Sequence, residues 1–213
     1  MPEAASTRTY RSTLRAEQAA NTRSRVVAAA ATCFADRGYA GTSLGEIAER
    51  AGVSTETVKA NGPKRALLLS AFDQAFAGDE GDELLTESDT GRDLVGIGDN
   101  DGFLSALAGF IAAANARTSV LWGEYLAAAN ADPTIDEALT ALLQRRHLDF
   151  RRTIEQFVAR GMTSRVDDVD GAAAILSFLW SPESHQQLVL QSGWTHQRYE
   201  TWLIDAARRQ FSM

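Results

Sequence analysis

At 213 residues the chain can bury a sizeable core as one large or two small domains, and its one cysteine, Cys33, excludes an internal disulfide framework and a cysteine-based zinc site. No run approaches the eighteen or more apolar residues of a membrane span, and the arginine-rich, polar N-terminus lacks an apolar signal segment, so the expected location is the cytoplasm, with no membrane partner. The net charge of −7 argues superficially against nucleic acid, but it is unevenly spread: residues 1–65 hold ten Lys or Arg and six Asp or Glu, giving +4, and residues 66–213 hold eleven and twenty-two, giving −11. A compact positive module on an acidic body can bind phosphates through the module while the body stays soluble.

Residues 1–20 read as a flexible basic arm with Arg8, Arg11 and Arg15 three to four apart, suited either to lying along a DNA backbone or simply to solvation. A helix is expected over residues 21–37, with Thr22 as cap, Val26, Val27, Ala30, Cys33 and Phe34 as its apolar stripe, and Gly38 as its end. Residues 42–68 contain two short helical patterns meeting at Ala51-Gly52-Val53-Ser54, where Gly52 can take the positive φ that closes one helix and Ser54 can cap the next. Leu44, Ile47, Ala48 and Ala51 form the buried stripe of the first; Val53 and Val58 supply the inward contacts of the second, leaving Thr55, Glu56, Thr57, Lys59 and Asn61 outward. Such a helix suits a DNA major groove, although two ordinary helices joined by a tight turn share the pattern.

A fourth helix is expected over residues 64–77, as a lever between head and body, then a partly mobile acidic loop over residues 78–102. Two helices are expected over residues 103–131, interrupted near residues 115–118. Asp132-Pro133-Thr134 then opens a long helix through Phe157; Asp167, Asp168 and Asp170 precede another, as caps rather than metal ligands; Ser181-Pro182 starts a short one; and Thr195 caps the last.

The run from Arg25 to Ser54, R-V-V-A-A-A-A-T-C-F-A-D-R-G-Y-A-G-T-S-L-G-E-I-A-E-R-A-G-V-S, resembles the N-terminal domain of TetR/AcrR-family transcriptional regulators, and the segment from Ser181 to Leu203 resembles the C-terminal end of actinobacterial-type members. The resemblance implies an all-α homodimer: a three-helix DNA-binding head with a helix-turn-helix over residues 21–66, then a larger effector-binding and dimerisation domain over residues 67–213. It implies phosphate contacts at Thr42 and Ser43, a recognition helix from Ser54 to Asn61, and a further contact at Lys64. It also implies a body cavity, with Phe110, Trp122, Tyr125, His147 and Phe150 as lining candidates that could equally be core, and a four-helix dimer interface with Leu176, Leu179, Tyr199, Trp202 and Leu203 as candidates that could equally pack within one subunit. The chain departs from the family at Lys59-Ala60-Asn61-Gly62-Pro63-Lys64, one residue shorter and without the usual aromatics; Lys59 stands where a tyrosine would touch a phosphate.

Gly41-Thr42-Ser43-Leu44-Gly45 matches the nucleophile-elbow pattern formally, but a helix precedes it, and His147, His185 and His196 show no ligand or triad spacing, so no enzyme is expected and no cofactor is implied. Gly96-Ile97-Gly98 lacks the flanking strand of a dinucleotide loop. The expectation is an effector-responsive regulator, a repressor by resemblance, that binds a palindromic double-stranded operator as a homodimer and responds to an apolar or aromatic small molecule. The alternatives are a helical ligand-binding protein with weakened DNA binding and, less supported, a small helical enzyme.

Overall fold

A computed structural model describes residues 4–77, 84–163 and 166–213, with side chains over 14–76, 84–163 and 166–213. Every regular element among the described residues is helical: α1 (Ala4–Gly41), α2 (Leu44–Ala51), α3 (Thr55–Ala60), α4 (Lys64–Ala77), a 3-10 turn (Leu85–Glu87), α5 (Asp89–Val95), α6 (Asn100–Ala129), α7 (Pro133–Ala159), α8 (Val169–Leu179), α9 (Pro182–His185) continuing as a π-helical turn (Gln186–Gln191), and α10 (His196–Phe211). The expected caps are in place: Asp132 accepts from Thr134 N–H with Pro133 in the first turn of α7, Asp168 accepts from Gly171 N–H, and Thr195 from Arg198 N–H.

Two expectations about helix ends fail for one reason. Residues 4–20 are helical and run directly into the helix expected over 21–37, so Thr22 lies inside α1, its hydroxyl donating to the Gln18 carbonyl at 2.8 Å instead of capping. Likewise α6 is one helix, unbroken at 115–118. Asn115, Thr118 and Ser119 are buried there and fully engaged: Asn115 Nδ2 donates to the carbonyls of Trp180 and Ser181 and to Tyr199 Oη, Thr118 donates to the Ala114 carbonyl, and Ser119 pairs with His185 Nδ1. Polar residues end a helix when their bonds need non-helical backbone; a hydroxyl bonded to the carbonyl four residues earlier, as in Thr22 and Thr118, or a tertiary partner, as for Asn115 and Ser119, leaves the helix intact. Read this way, α6 is long and apolar enough to cross a membrane by length and composition, contrary to the sequence expectation, but it is packed against α1, α4, α7, α9 and α10.

The expected stop at Gly38 does hold. Its φ of 76° and ψ of 161° fall in a region essentially reserved for glycine, and α1 kinks there before its last turn. One apolar cluster joins α1, α2, α3 and α4 to the second half of α6 and the start of α7, through residues such as Phe34, Ile47, Leu67, Phe72, Trp122 and Ile135. A second joins the first half of α6 to the end of α7, α8 and α10. The core therefore crosses residue 66 without a seam, and α4 belongs to head and body alike.

His185 carries a pH prediction. Burial pushes its pKa below the ordinary 6.5, and the charge of His196 pushes the same way. A neutral ring held in the folded state gives stability that is complete above pH 6.5 and lost as pH falls from there through the depressed folded value, because the unfolded chain takes up a proton the folded chain refuses. Urea midpoints are expected to be flat from pH 8 to 7 and to fall below 6.5, with the fall reduced in His185→Gln.

Candidate nucleic-acid interface and ligand cavity

The helix-turn-helix is built by caps. Ser43 and Glu46 form a reciprocal capping box: Glu46 N–H donates to Ser43 Oγ at 3.2 Å and Ser43 N–H to Glu46 Oε2 at 2.7 Å. The Ser43 backbone N–H, then its hydroxyl, holds the exposed Glu46 carboxyl below the usual range, and Arg37 pairs with the same side chain. Ser43 is thus a helix cap, as weighed against the nucleophile reading. Gly52, at φ 64°, ends α2, and Ser54 caps α3 by accepting Thr57 N–H at 3.1 Å.

Two arginines on α1 then seat the short helices. Arg25 donates to the Ala51 carbonyl at the end of α2, and Arg23 donates to the Asn61 carbonyl at 2.9 Å, at the end of α3, and to Ser70 Oγ on α4 at 3.0 Å. Cations on the carbonyl ends of helices satisfy both the orphan acceptors and the dipole. Arg23 makes up part of the seating lost with the aromatics at the departure, where Gly62 takes φ 123°. Sequence reasoning assigned neither arginine a role; a basic residue facing a helix end three elements away leaves no local pattern.

The predicted DNA contacts divide accordingly. Thr42 is buried, its hydroxyl donating to the carbonyls of Cys33 and Gly38, so it braces the end of α1 and its side chain is turned away from any phosphate. Lys64 also turns inward: its ammonium donates to the carbonyls of Tyr39 (2.7 Å) and Thr42 (2.9 Å) and lies over the Tyr39 ring, and burial lowers its pKa. Ser54, Thr57 and Asn61 are tied into local bonds of α3, the Asn61 amide donating to the Thr57 carbonyl. Glu56, Lys59 and the neighbouring Arg65 are exposed, Thr55 partly so, and Arg15 is exposed on α1; the Arg8 and Arg11 side chains lie outside the described residues.

α4 connects this surface to the body. Its first residue, Lys64, holds the α1–α2 link, while Arg117 on α6 donates to the carbonyls of Ala75 and Phe76 near its other end. Between them Phe72, Asp73 and Phe76 form one wall of a cavity of about 190 Å³ enclosed with α5, α6 and α7. Of the five residues proposed to line it, Trp122 and Phe150 do. Phe110 packs edge-on to Phe76 away from it, Tyr125 is core against Phe72 and Trp122, and His147 sits on the surface, 3.1 Å from Asp170. Helical periodicity shows that a residue faces inward but not whether it meets another side chain or a void. The charged lining is Asp73 with Arg145, Asp149 and Arg146, and Asn115, Thr86, Ser88, Thr153 and Gln156 add neutral polar groups. Asp149 is engaged, accepting the N–H groups of Leu85 and Thr86 and the Thr86 hydroxyl.

Three of the residues proposed for a dimer face, Leu176, Tyr199 and Leu203, are completely buried within the protomer and are corrected to core. Leu179 and Trp202 remain partly exposed. The large apolar side chains α8 leaves outward are Phe178, 76 % exposed and two residues after Leu176, and Ile175, one residue before it.

A capped, outward helix that follows a tight turn and is carried on a helical body is the architecture of a helix-turn-helix protein. Residues 26–58 match the family model for bacterial regulatory proteins of the tetR family. No curated protein matches the chain significantly. Among solved structures, a TetR-family transcriptional regulator from Rhodococcus sp. superposes with TM-score 0.69 at 21 % identity over 90 % of this chain and 99 % of its own. One from Mesorhizobium loti gives 0.66 at 22 % over 90 % and 96 %, and a transcriptional regulator from Pseudomonas aeruginosa 0.62 at 19 % over 89 % and 93 %. The chain is thus similar to bacterial regulatory proteins of the tetR family over residues 26–58, and it shares the fold of these solved structures along about nine-tenths of its length.

Proposed function

We propose that the protein is a cytoplasmic transcriptional regulator of the repressor kind, binding a palindromic operator as a homodimer and releasing it when a small molecule enters the body cavity. The observation that carries this is α4: one helix whose first residue fixes the recognition head and whose later residues wall the cavity. A ligand that fits better with α4 displaced shifts the population toward a head spacing unsuited to successive major grooves. Lys59, exposed at the end of α3, supplies a phosphate contact, and Thr55 and Glu56 face base edges.

Fluorescence anisotropy against duplex DNA from the gene's own upstream region tests the reading. Wild type is expected to bind tightly with a steep salt dependence, and Lys59→Ala to lower the slope of log K against log salt by about one per head. Uniform weak binding, abolished by modest salt and unchanged by Lys59→Ala, would instead favour a ligand-binding protein with a lapsed head.

The dimer is expected to form through α8 and α10 around Phe178, with Ile175, Leu179 and Trp202 beside it. In a twofold interface a central aromatic counts twice, at about 2 kcal/mol or more each time, so Phe178→Asp is expected to weaken dimerisation about a thousandfold. Sedimentation of the variant at micromolar concentration should show monomer while its circular dichroism stays helical; an unchanged dimer places the interface elsewhere.

A further inference from the structure

Two residues that line the cavity carry donors that the protein itself leaves under-used. Trp122 is 2 % exposed and lines the cavity, yet its indole Nε1 has no hydrogen-bond partner. A buried N–H without an acceptor has lost its water without replacement, a cost that a ligand oxygen reaching it would offset. Arg146, from α7, lines the same cavity. One arm of its guanidinium donates to the Ser177 carbonyl and its face lies 5.7 Å from the Phe150 ring centroid, but among the described residues no carboxylate pairs with it. Burial disfavours its charged form, with Glu183 only partly offsetting this.

The other charges in the cavity have partners. Asp73 stands 3.9 Å from Arg145, and Asp149 is held by the three donors of the Leu85–Thr86 turn. What remains is a guanidinium without a carboxylate partner and an orphan donor, beside the apolar walls of Phe72, Phe76, Phe103 and Leu107. A volume near 190 Å³ is below the roughly 300–1,000 Å³ of drug-sized sites, so the occupant is compact.

We propose that the effector is a compact apolar organic acid, its carboxylate paired with Arg146 and an oxygen accepting the indole N–H of Trp122. This rests on the cavity being the effector site of the function proposed above. A guanidinium offers paired, parallel donors to a carboxylate, and in a site that excludes water the charge-assisted bond outweighs the same contact to a neutral amide. An ammonium of the same skeleton meets a like charge.

The test uses three matched series, phenylacetate, 3-phenylpropanoate and hexanoate, each with its primary amide and the corresponding amine, titrated into the full-length protein. The readout is the indole region of the proton–nitrogen correlation spectrum, where four tryptophans give four signals and the one absent from Trp122→Phe identifies itself. Acids are expected to bind about tenfold or more tighter than their amides and to move the Trp122 signal downfield. Arg146→Gln should erase the preference and Arg146→Lys keep much of it, so that a folding defect in the first leaves the second to decide. Equal or tighter binding of amides or amines, a preference that survives Arg146→Gln, or no binding by any acid overturns the proposal. Operator titrations separate the two readings. Acids that occupy the cavity without changing DNA affinity leave the ligand class standing and refute its regulatory use; neutral compounds that release DNA do the reverse.

Discussion

Asn115→Leu is expected to be the most destabilising single substitution in the body, costing about 3 kcal/mol. Its amide nitrogen is the donor shared by the Trp180 carbonyl (3.1 Å), the Ser181 carbonyl (3.1 Å) and Tyr199 Oη (2.9 Å), all of them buried. These acceptors lie where α8 ends and α9 begins, so one side chain on α6 ties the cavity helix to the elements that carry the proposed dimer face. Leucine conserves the volume and takes the amide donor from the buried Trp180 carbonyl, at about 1–3 kcal/mol, and one of several partners from the Ser181 carbonyl and the Tyr199 hydroxyl, each of which keeps the Ser184 hydroxyl at 2.8 Å, at about 0.5–1.5 kcal/mol apiece. For a protein of this size the loss corresponds to a fall in Tm of roughly 6–12 °C at fixed protein concentration. Thermal unfolding followed by circular dichroism checks it, and a fall below 2 °C would mean that water takes over the amide's role.

Gly38→Ala is expected to cost about 2 kcal/mol and to act on the other junction. At φ 76° and ψ 161° an alanine is held in a sparsely populated region at about 1–3 kcal/mol, and its Cβ would sit 3.0 Å from Glu124 Oε2. That oxygen accepts the Tyr39 N–H, so moving it loosens the hydrogen bond that sets the last turn of α1 against α6. The strain and the displaced carboxylate predict a Tm roughly 4–8 °C lower, together with weaker operator binding at temperatures where the variant is still folded. Glu124→Gln, which keeps an acceptor and relieves nothing at Gly38, should cost less than half as much. Equal losses for the two would show that the Tyr39 bond, rather than the backbone conformation, dominates.

How far the sequence carried depends on whether a signal is local. Gly52 and Ser54 marked the helix-turn-helix because a cap and a positive φ act within four residues, and Asp132, Asp168 and Thr195 marked later helices in the same way. The expected break in α6 was wrong because Asn115 and Ser119 spend their polar groups on residues sixty or more positions away. Lys64 and Thr42 looked like phosphate ligands because head geometry by analogy placed them near one; in the structure the nearest oxygens are carbonyls at the end of α1. Of the residues expected at a dimer face, Leu176, Tyr199 and Leu203 are core: Leu176 and the exposed Phe178 are two residues apart, and periodicity alone gives α8 apolar residues on both sides without saying which side the fold buries. The cavity residues were hardest, since what marks them, an Arg146 guanidinium without a carboxylate partner and a Trp122 indole N–H without an acceptor, leaves no local pattern.

The claim at the centre is that α3 of two symmetry-related heads reads DNA together, and selection of bound duplexes from a random pool measures it most directly. The account predicts recovery of an inverted repeat whose half-sites lie about one helical turn apart, roughly 10 base pairs centre to centre, with Thr55→Ala or Glu56→Ala changing the preferred bases within each half-site. Recovery of no shared sequence, or of a single asymmetric site bound by one subunit, would contradict it.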